Sequence, residues 1–308
     1  MQELLRDIPI QPVTGRTRVV GLFGHPVSHT LSPQMQNRAF AAMKLPYIYV
    51  PWHVLPERLG AAVEAVRALN LAGVNITLPH KNAVIQYLDE ITPEARLFGA
   101  VNTIQVVGER LIGHNTDGPG FLLSLKEQAG FDPAGKRFLL LGAGGSTRPI
   151  ATQLMLSGAA AVYIANRTYD KAAALCQTLN SVNWTNIFRS LPLDSAAAEF
   201  RCALQEVDAV VNTSSAGMYP HHREPSLIPS DLFSPHLLVC DIVYTPRRTA
   251  LLAAAEQRGC ATLAGYHMLV YQGALAIKIW TGLEAPVGLM TATVEQELIR
   301  AENEWAKD

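Results

Sequence analysis

A buried strand that runs directly into a glycine-rich turn and a helix is the feature that most limits how this chain of 308 residues can fold. Residues 137–141 are almost continuously apolar, as expected for a parallel strand that is buried on both faces. Further strand patterns at 161–165, 209–212 and 237–242 alternate with helical ones. This order predicts a doubly wound α/β domain that begins in the middle of the chain. The turn itself consists of Gly142, Ala143, Gly144, Gly145 and Ser146.

The first part of the chain predicts a second α/β domain with a mostly parallel sheet. Ser32 suits the N-cap of its first helix, and Pro33 suits the first helical position. Residues 101–107 and 110–113 flank a Gly-Glu pair and predict a hairpin. The strand patterns lie at 18–23, 47–52 and 73–78. The helical patterns lie at 57–69, 82–88 and 93–98, and near the C-terminus at 268–280 and 294–305.

The glycine turn also indicates what the second domain binds. Glycines allow the backbone N–H groups at a helix start to approach a pyrophosphate, although Thr147 replaces the usual third small residue of the fingerprint. An NAD site would place a carboxylate at the end of the next strand. Here Arg167 stands at that end, with Lys171 nearby, and both suit a 2′-phosphate. The sequence therefore predicts NADP as the cofactor, held also by Asn166 and Thr168.

Composition and charge exclude several other classes of protein. A formal net charge of -1 argues against a nucleic-acid surface, and no apolar run approaches the roughly 18 residues of a membrane span. Residues 1–12 lack the basic-then-apolar pattern of a signal peptide. The cysteines are far apart and form no C-x-x-C pair, so we expect reduced, buried thiols and no metal site. We expect a cytoplasmic monomer or homodimer that acts on a small molecule.

A set of polar residues in the first domain lies at predicted strand ends and turns. The carboxyl ends of parallel strands open onto the ligand crevice, so these side chains are candidates for a site that binds a polyhydroxylated substrate. Each one also has a simpler interpretation, such as a helix cap for Ser32, a surface charge for Lys81 and a turn residue for Asn102. The set consists of Thr30, Ser32, Asn75, Thr77, Lys81, Asn102, Asn115 and Asp117.

These residues fall within motifs through which the chain resembles the shikimate dehydrogenase family, including its quinate/shikimate dehydrogenase branch. The resemblance covers roughly residues 19–280 in the family's order. It is specific because many motifs are linked. The motifs include VGLFGHPVSHTLSP from Val20, GVNITLPHK from Gly73, GAVNT from Gly99, GHNTDG from Gly113, the glycine turn, NTSSAGM from Asn212, DIVY from Asp241 and GYHMLVYQ from Gly265.

The resemblance implies a role for each matching position. Lys81 and Asp117 match the catalytic pair, in which Lys81 donates to the developing alkoxide and Asp117 orients it. The resemblance does not decide which of the two accepts the proton in oxidation. The substrate positions are Thr30, Ser32, Asn75, Thr77, Lys81, Asn102, Asp117, Tyr244 and Gln272, and the positions around the nicotinamide are Thr213, Val243, Gly265 and Met268.

The resemblance also implies an order of domains. Residues 1–117 are expected to form the substrate-binding and catalytic domain, 118–265 the Rossmann-like NADP-binding domain, and 266–308 helices that return to the first domain. Two positions depart from the family pattern. Thr30 replaces the first of two carboxylate-binding serines, and His267 replaces a frequent glycine.

Three functions remain open at this point. The first is an NADP-dependent shikimate dehydrogenase that reduces 3-dehydroshikimate to shikimate for aromatic amino-acid biosynthesis. The second is a quinate/shikimate dehydrogenase with relaxed substrate or NAD use. The third, from another class, is a non-catalytic nucleotide-sensing protein on the same fold, which would not need Lys81 or Asp117.

Overall fold

The computed structural model describes residues 12–305 and divides the chain into two compact units. Unit 1 contains the chain up to Gly120 and from Val270 onward, and unit 2 is Phe121–Leu269. Residues 1–11 and 306–308 lie outside the described residues. The first of these ranges includes most of residues 1–12, the stretch that lacks a signal-peptide pattern. Each unit has a six-stranded sheet of its own.

The sheet of unit 1 has the strand order β2-β1-β3-β5-β6-β4. Its pairs β1–β2, β1–β3 and β4–β6 are parallel, whereas β3–β5 and β5–β6 are antiparallel. The predicted α/β class and the predicted hairpin, β5–β6, are therefore confirmed. The strands are β1 (Arg18–Gly24), β2 (Tyr47–His53), β3 (Gly73–Ile76), β4 (Glu90–Ile91), β5 (Thr103–Val107) and β6 (Arg110–His114).

Helices α1 (Ser32–Ala42), α2 (Leu59–Ala68) and α3 (Pro93–Phe98) connect these strands, and α4 (Asp117–Ala129) follows β6. Helix α3 shows how local sequence sets the bounds of such an element. The Thr92 hydroxyl accepts a hydrogen bond from Ala95 N at 3.2 Å, and Pro93 occupies the first turn. Gly99 ends the helix at a φ of 64°, in the left-handed region that glycine adopts without strain.

Three predictions of local structure in unit 1 need correction. Ser32 is the first residue of α1 and not its cap, because the Leu31 backbone takes the N-cap position and no side chain caps the helix. Strand β3 ends at Ile76, two residues earlier than predicted. The predicted helix at 82–88 is a 3-10 turn, Ala83–Tyr87, because Ile85 and Leu88 bond to the carbonyl three residues back.

Unit 2 is the doubly wound domain that the glycine turn predicts. Its sheet has the order β12-β11-β10-β7-β8-β9, and all of its pairs are parallel. Helices cover both faces. The strands are β7 (Arg137–Leu141), β8 (Ala161–Asn166), β9 (Phe188–Pro192), β10 (Ala209–Asn212), β11 (Leu238–Asp241) and β12 (Ala261–Leu263). The helices are α5 (Thr147–Leu156), α6 (Tyr169–Asn183), α7 (Ala198–Glu206) and α8 (Ala250–Glu256).

Strand β7 is apolar from Phe138 to Leu141 because these residues face a core on each side of the sheet. Phe138 and Leu140 pack into one hydrophobic cluster, and Leu139 and Leu141 pack into the other. All four side chains are fully buried. The sequence did not predict β9 or β12, which are the edge strands of this sheet. Edge strands are less buried, so their apolar pattern is weaker: β9 alternates irregularly and β12 has three residues.

Two long helices close the described chain, α9 (Gly265–Thr281) and α10 (Val287–Trp305). From Val270 onward, α9 belongs to unit 1, where Trp280 Nε1 donates to the Ile104 carbonyl at 3.0 Å. Helix α10 packs against α1 and begins seven residues earlier than the predicted 294–305. No helix among residues 12–305 is both long and apolar enough to cross a membrane.

The four cysteines are all free, and three of them are buried as expected. Cys202 is exposed, which corrects the prediction that all four are buried. It lies on α7, whose buried face consists of Phe200, Ala203 and Leu204, and it points away from that face.

The outer edge of the unit 1 sheet is closed by a side chain. Among residues 12–305, strand β2 pairs only with β1, and no described strand lies along its other edge. The Asn37 amide on α1 takes the place of a strand: Tyr49 N donates to Asn37 Oδ1 at 2.7 Å, and Asn37 Nδ2 donates to Tyr49 O at 3.0 Å. Two residues along, Pro51 has no N–H to offer.

We expect Asn37→Ala to lower the free energy of unfolding by ~1–3 kcal/mol, because both backbone groups of Tyr49 lose their partners. Urea denaturation measures the change. Gln34→Ala, at an exposed position of the same helix, is the matched control and should stay close to the unsubstituted protein. Equal losses in the two variants would contradict this role of Asn37.

A buried carboxylate ties the ends of β10 and β11 together in unit 2. Asp241 is 2% exposed, and its Oδ1 accepts from Asn212 Nδ2 and from Val243 N, each at 2.9 Å. Its Oδ2 accepts from the Thr249 hydroxyl at 2.7 Å. Burial raises the pKa of Asp241 from 3.8 to about 7, although the three donors act in the opposite direction.

This raised pKa predicts a specific pH dependence of stability. Between pH 3.8 and about 7 the folded protein keeps a proton on Asp241 that the unfolded chain releases. The free energy of unfolding should therefore fall as pH rises through this range, by up to ~1.4 kcal/mol per pH unit. Asp241→Asn has no such proton and should lack this component. Urea denaturation of both proteins across the range tests the expectation, and parallel pH curves would contradict it.

Candidate active site

The polar residues of unit 1 centre on an ion pair between Lys81 and Asp117. Lys81 Nζ lies 2.6 Å from Asp117 Oδ2, and the two side chains are 14% and 7% exposed. Lys81 follows β3 by five residues, and its carbonyl accepts from Val101 N at 2.8 Å. Asp117 is the first residue of α4. The sequence therefore predicted two groups, 36 positions apart, that the fold brings into direct contact.

Asn102 holds Asp117 in place. Its Nδ2 donates to Asp117 Oδ1 at 2.8 Å and to the Thr116 hydroxyl at 2.9 Å, and its Oδ1 accepts from Thr116 N at 2.7 Å. Asn115 Oδ1 accepts from Asp117 N at 3.0 Å. The Asp117 carboxylate is thus fixed on one oxygen by an amide and on the other by an ammonium. Both amide hydrogens of Asn102 are used within the protein.

Asn75 forms a second buried centre, inside β3. Its Nδ2 donates to the Asn102 carbonyl at 3.2 Å and to the Thr103 hydroxyl at 2.9 Å. Its Oδ1 accepts from the Tyr49 hydroxyl at 2.9 Å. Burial raises the pKa of Tyr49, and a hydrogen bond with Ser32 acts in the opposite direction. Tyr49 therefore connects two predicted site residues, Ser32 and Asn75.

Sequence reasoning missed Tyr49 and Thr116. A tyrosine in a strand ordinarily indicates β propensity alone, so nothing along the sequence marks its hydroxyl. Thr116 stands inside the GHNTDG motif, between Asn115 and Asp117, and its position in that motif was the one available signal.

The remaining predicted substrate residues of unit 1 lie around these two centres. The Thr30 hydroxyl donates to Ser32 Oγ at 3.2 Å, and Thr77 follows the last residue of β3. Gln272 lies on α9, where its Oε1 is 3.5 Å from the Thr116 hydroxyl. Gly120 makes this approach possible, because a Cβ at its position would lie 2.8 Å from the Gln272 backbone nitrogen.

Tyr244 differs from the other predicted substrate residues because it belongs to unit 2. It follows β11 by three residues. Burial raises the pKa of its hydroxyl.

The glycine turn of unit 2 lies between β7 and α5, as predicted. Gly142 has a φ of 115°, and Ser214 Cβ would stand 3.0 Å from a Cβ at this position, so glycine is required. Thr147 is fully buried and holds the turn: its hydroxyl accepts from Gly144 N at 3.1 Å and donates to the Gly142 carbonyl at 3.2 Å. The third fingerprint residue thus contributes hydrogen bonds where a glycine or alanine would contribute none.

The predicted 2′-phosphate residues follow the turn at the end of β8. Asn166 is the last residue of that strand, and its Nδ2 donates to the Thr168 carbonyl at 2.8 Å. Thr168 is the N-cap of α6. The side chains of Arg167 and Lys171 are exposed.

The predicted nicotinamide residues collect at the ends of β10 and β11 and at the start of α9. The Thr213 hydroxyl bonds to Thr147 Oγ1 at 2.9 Å. Val243 and Met268 are buried. Gly265 allows a close approach, because a Cβ there would lie 2.5 Å from the Ile242 carbonyl. Among residues 12–305 no group of three or more His, Cys, Asp and Glu side chains could hold a metal ion.

Three family models match successive parts of this chain. The shikimate dehydrogenase substrate binding domain matches residues 22–104, shikimate / quinate 5-dehydrogenase matches 124–242, and the shikimate 5'-dehydrogenase C-terminal domain matches 265–295. The first two divide the chain in the same order as the two units.

Individual relatives are similar over nearly their whole length. The shikimate dehydrogenase (NADP(+)) of Geobacter metallireducens is 46% identical over 290 residues, which are 94% of this chain and 99% of the relative. The one from Methanopyrus kandleri is 44% identical, over 93% of this chain and 98% of the relative. A crystal structure of a shikimate dehydrogenase in complex with NADP+ has a TM-score of 0.87 and 37% identity, over 93% of this chain and 98% of that one. The chain belongs to the shikimate dehydrogenase family.

Proposed function

We propose that this protein is an NADP-dependent shikimate dehydrogenase, which reversibly reduces 3-dehydroshikimate to shikimate in the pathway to chorismate and the aromatic amino acids. The observation that carries the proposal is the buried ion pair of Lys81 and Asp117, at 2.6 Å. Carbonyl reduction needs a hydride at carbon and a proton at oxygen, and Lys81 has the N–H for the second.

The cofactor residues fit a dinucleotide phosphate. The turn bends at Gly142 through the left-handed region, and a Cβ on Gly144 would meet nothing within 4 Å, so the backbone there is open to a ligand. Arg167 and Lys171 place two exposed cations where an NAD site carries a carboxylate. When bound, the nicotinamide supplies the hydride or accepts it. Gly142, Ala143, Gly144, Gly145 and Ser146 would hold the pyrophosphate, with Asn166 and Thr168 beside the 2′-phosphate.

Lys81 and Asp117 carry the proton chemistry in this proposal. As the carbonyl is reduced, the Lys81 ammonium donates to the oxygen that becomes the hydroxyl. The Asp117 carboxylate, held by Asn102 Nδ2 at 2.8 Å, keeps the ammonium in one position. Such fixed orientation lowers the barrier because little reorganisation remains for the transition state.

The other residues recognise the substrate by its polar groups. Thr30 and Ser32 present neighbouring hydroxyls, which suit a carboxylate. Thr77, Tyr244 and Gln272 are proposed to contact the substrate as well. The amide hydrogens of Asn75 and Asn102 are used inside the protein. A ring hydroxyl can therefore donate to Asn75 Oδ1, whereas a bond to Asn102 has to replace one that Asn102 makes within the protein.

A second candidate is a quinate/shikimate dehydrogenase with relaxed substrate or NAD use. Thr30 favours it, because this residue keeps the hydroxyl of the family's serine and adds a methyl group at the proposed carboxylate site. A non-catalytic nucleotide sensor is disfavoured, since it would not need a buried Lys81–Asp117 pair. A cytoplasmic location, a monomeric or homodimeric state and the domain bounds at 117 and 265 stay predictions.

Initial rates with shikimate and with quinate, each against NADP+ and NAD+, test the proposal. We expect shikimate with NADP+ to have the highest kcat/KM, because Arg167 and Lys171 attract the 2′-phosphate. Comparable kcat/KM values for quinate or for NAD+ would favour the second candidate. No oxidation of shikimate with either cofactor would contradict both.

Lys81→Ala tests the assignment of the proton donor. The kcat should fall by ~10²–10⁴-fold, because the general acid is lost. The affinity for NADPH, measured by titration, should stay unchanged. Lys126→Ala is the matched control, since it removes an ammonium from an exposed pair with Asp132 at 3.8 Å and should keep full turnover. Near-normal turnover of Lys81→Ala would refute the assignment.

A further inference from the structure

We propose that Asp241 is a positioning residue for the nicotinamide end of the cofactor site. The inference rests on the proposed function, since it assumes that Thr213 and Val243 flank a nicotinamide. Asp241 acts through these neighbours and is not itself assigned a contact with cofactor or substrate.

Asp241 lies where three segments meet. Three groups donate to its carboxylate: the Asn212 side chain at the end of β10, the Val243 backbone N–H in the loop after β11, and the Thr249 hydroxyl at the N-cap of α8. Each bond is 2.9 Å or shorter, and Asp241 is 2% exposed. A buried acceptor that serves three segments fixes their relative positions, because a buried donor that loses its acceptor destabilises the fold.

The segment that contains Asn212 is in turn hydrogen-bonded to the glycine turn of the cofactor site. Asn212 Oδ1 accepts from Ser214 N at 3.0 Å, so the backbone on both sides of Thr213 is held. The Thr213 hydroxyl bonds to Thr147 at 2.9 Å, and Thr147 accepts from Gly144 N of the glycine turn. A continuous buried path therefore connects the glycine turn to Asp241.

The loop after β11 is also tightly packed on its other side. A Cβ at Gly265 would lie 2.5 Å from Ile242 O and 2.6 Å from Val243 O, so the start of α9 presses against this loop. On one side, Asp241 accepts a hydrogen bond from Val243 N, and on the other side the α9 backbone packs against the loop. The positions of Val243 and of the adjacent Tyr244 thus depend on the Asp241 carboxylate.

Asp208 offers a matched control at the opposite end of the strands in the same sheet. It precedes β10, and its carboxylate accepts from Arg137 N at 2.8 Å and from Lys136 Nζ at 3.2 Å. It ties two strands together by the same kind of bonds as Asp241. It lies at their amino ends, however, where no predicted site residue stands.

The experiment compares Asp241→Ala, Asp241→Asn and Asp208→Ala in the full chain. The first readout is kcat/KM for NADP+ at saturating shikimate. The second is the inhibition constant of 2′,5′-ADP, which carries the adenosine and 2′-phosphate of the cofactor but no nicotinamide. Binding of 2′,5′-ADP also shows that each variant has a folded cofactor domain.

For Asp241→Ala we expect kcat/KM to fall by at least about tenfold, with the 2′,5′-ADP constant within about twofold of the parent. Asp241→Asn keeps an oxygen for Asn212 and Val243 and should recover most of the activity. Asp208→Ala should leave both readouts unchanged. Unchanged kcat/KM in Asp241→Ala, or an equal loss of 2′,5′-ADP binding, would overturn the proposal.

Failure of the proposed function gives a different result. In that case the unsubstituted protein would oxidise shikimate with neither NADP+ nor NAD+. The positioning role of Asp241 is judged only by the difference between variants of an active parent.

Discussion

A parallel strand that is covered by helices on both faces has almost no place for an unpaired polar side chain, and this constraint decides where the chemistry of this protein lies. Strand β7 obeys it fully, with four fully buried apolar residues before its glycine turn. Polar groups then follow the ends of strands: Arg167 comes directly after β8 in unit 2, and Lys81 follows β3 by five residues in unit 1. Asn75 is an instructive exception, since it lies inside β3 and is tolerated because Tyr49 and Thr103 satisfy its amide.

The same need for partners explains the ion pair. Removing a lysine and an aspartate from water costs more than their attraction returns, unless further hydrogen bonds serve the remaining lone pairs. Asn102 provides one of those bonds to Asp117, and Thr116 in turn fixes Asn102. The pair therefore depends on neighbouring polar side chains, and loss of Thr116 or Asn102 is expected to disturb the position of Lys81.

The sequence was sufficient to predict features that depend on patterns and motifs of neighbouring residues. Strand, turn and helix at Gly142, the hairpin after Val101, and the candidate pair of Lys81 and Asp117 all follow from patterns or motifs. It was insufficient where the deciding contact joins distant segments. The Tyr49 hydroxyl meets Asn75 only because β2 and β3 lie on either side of β1, and no spacing along the chain encodes that encounter. Edge strands such as β12 were not predicted from the sequence for a related reason, since their partial burial leaves little apolar pattern.

The hydrogen bonds of the Asn37 amide affect how the sheet edge can associate with other chains, as well as the stability of the fold. A sheet edge with open N–H and C=O groups is a template on which another chain can add a strand. Here the hydrogen-bonding groups of Tyr49 are already occupied, and the next outward position is a proline. Addition of a strand at this edge has to break both Asn37 bonds and finds no N–H at Pro51, so this edge is a poor template for growth into an aggregate.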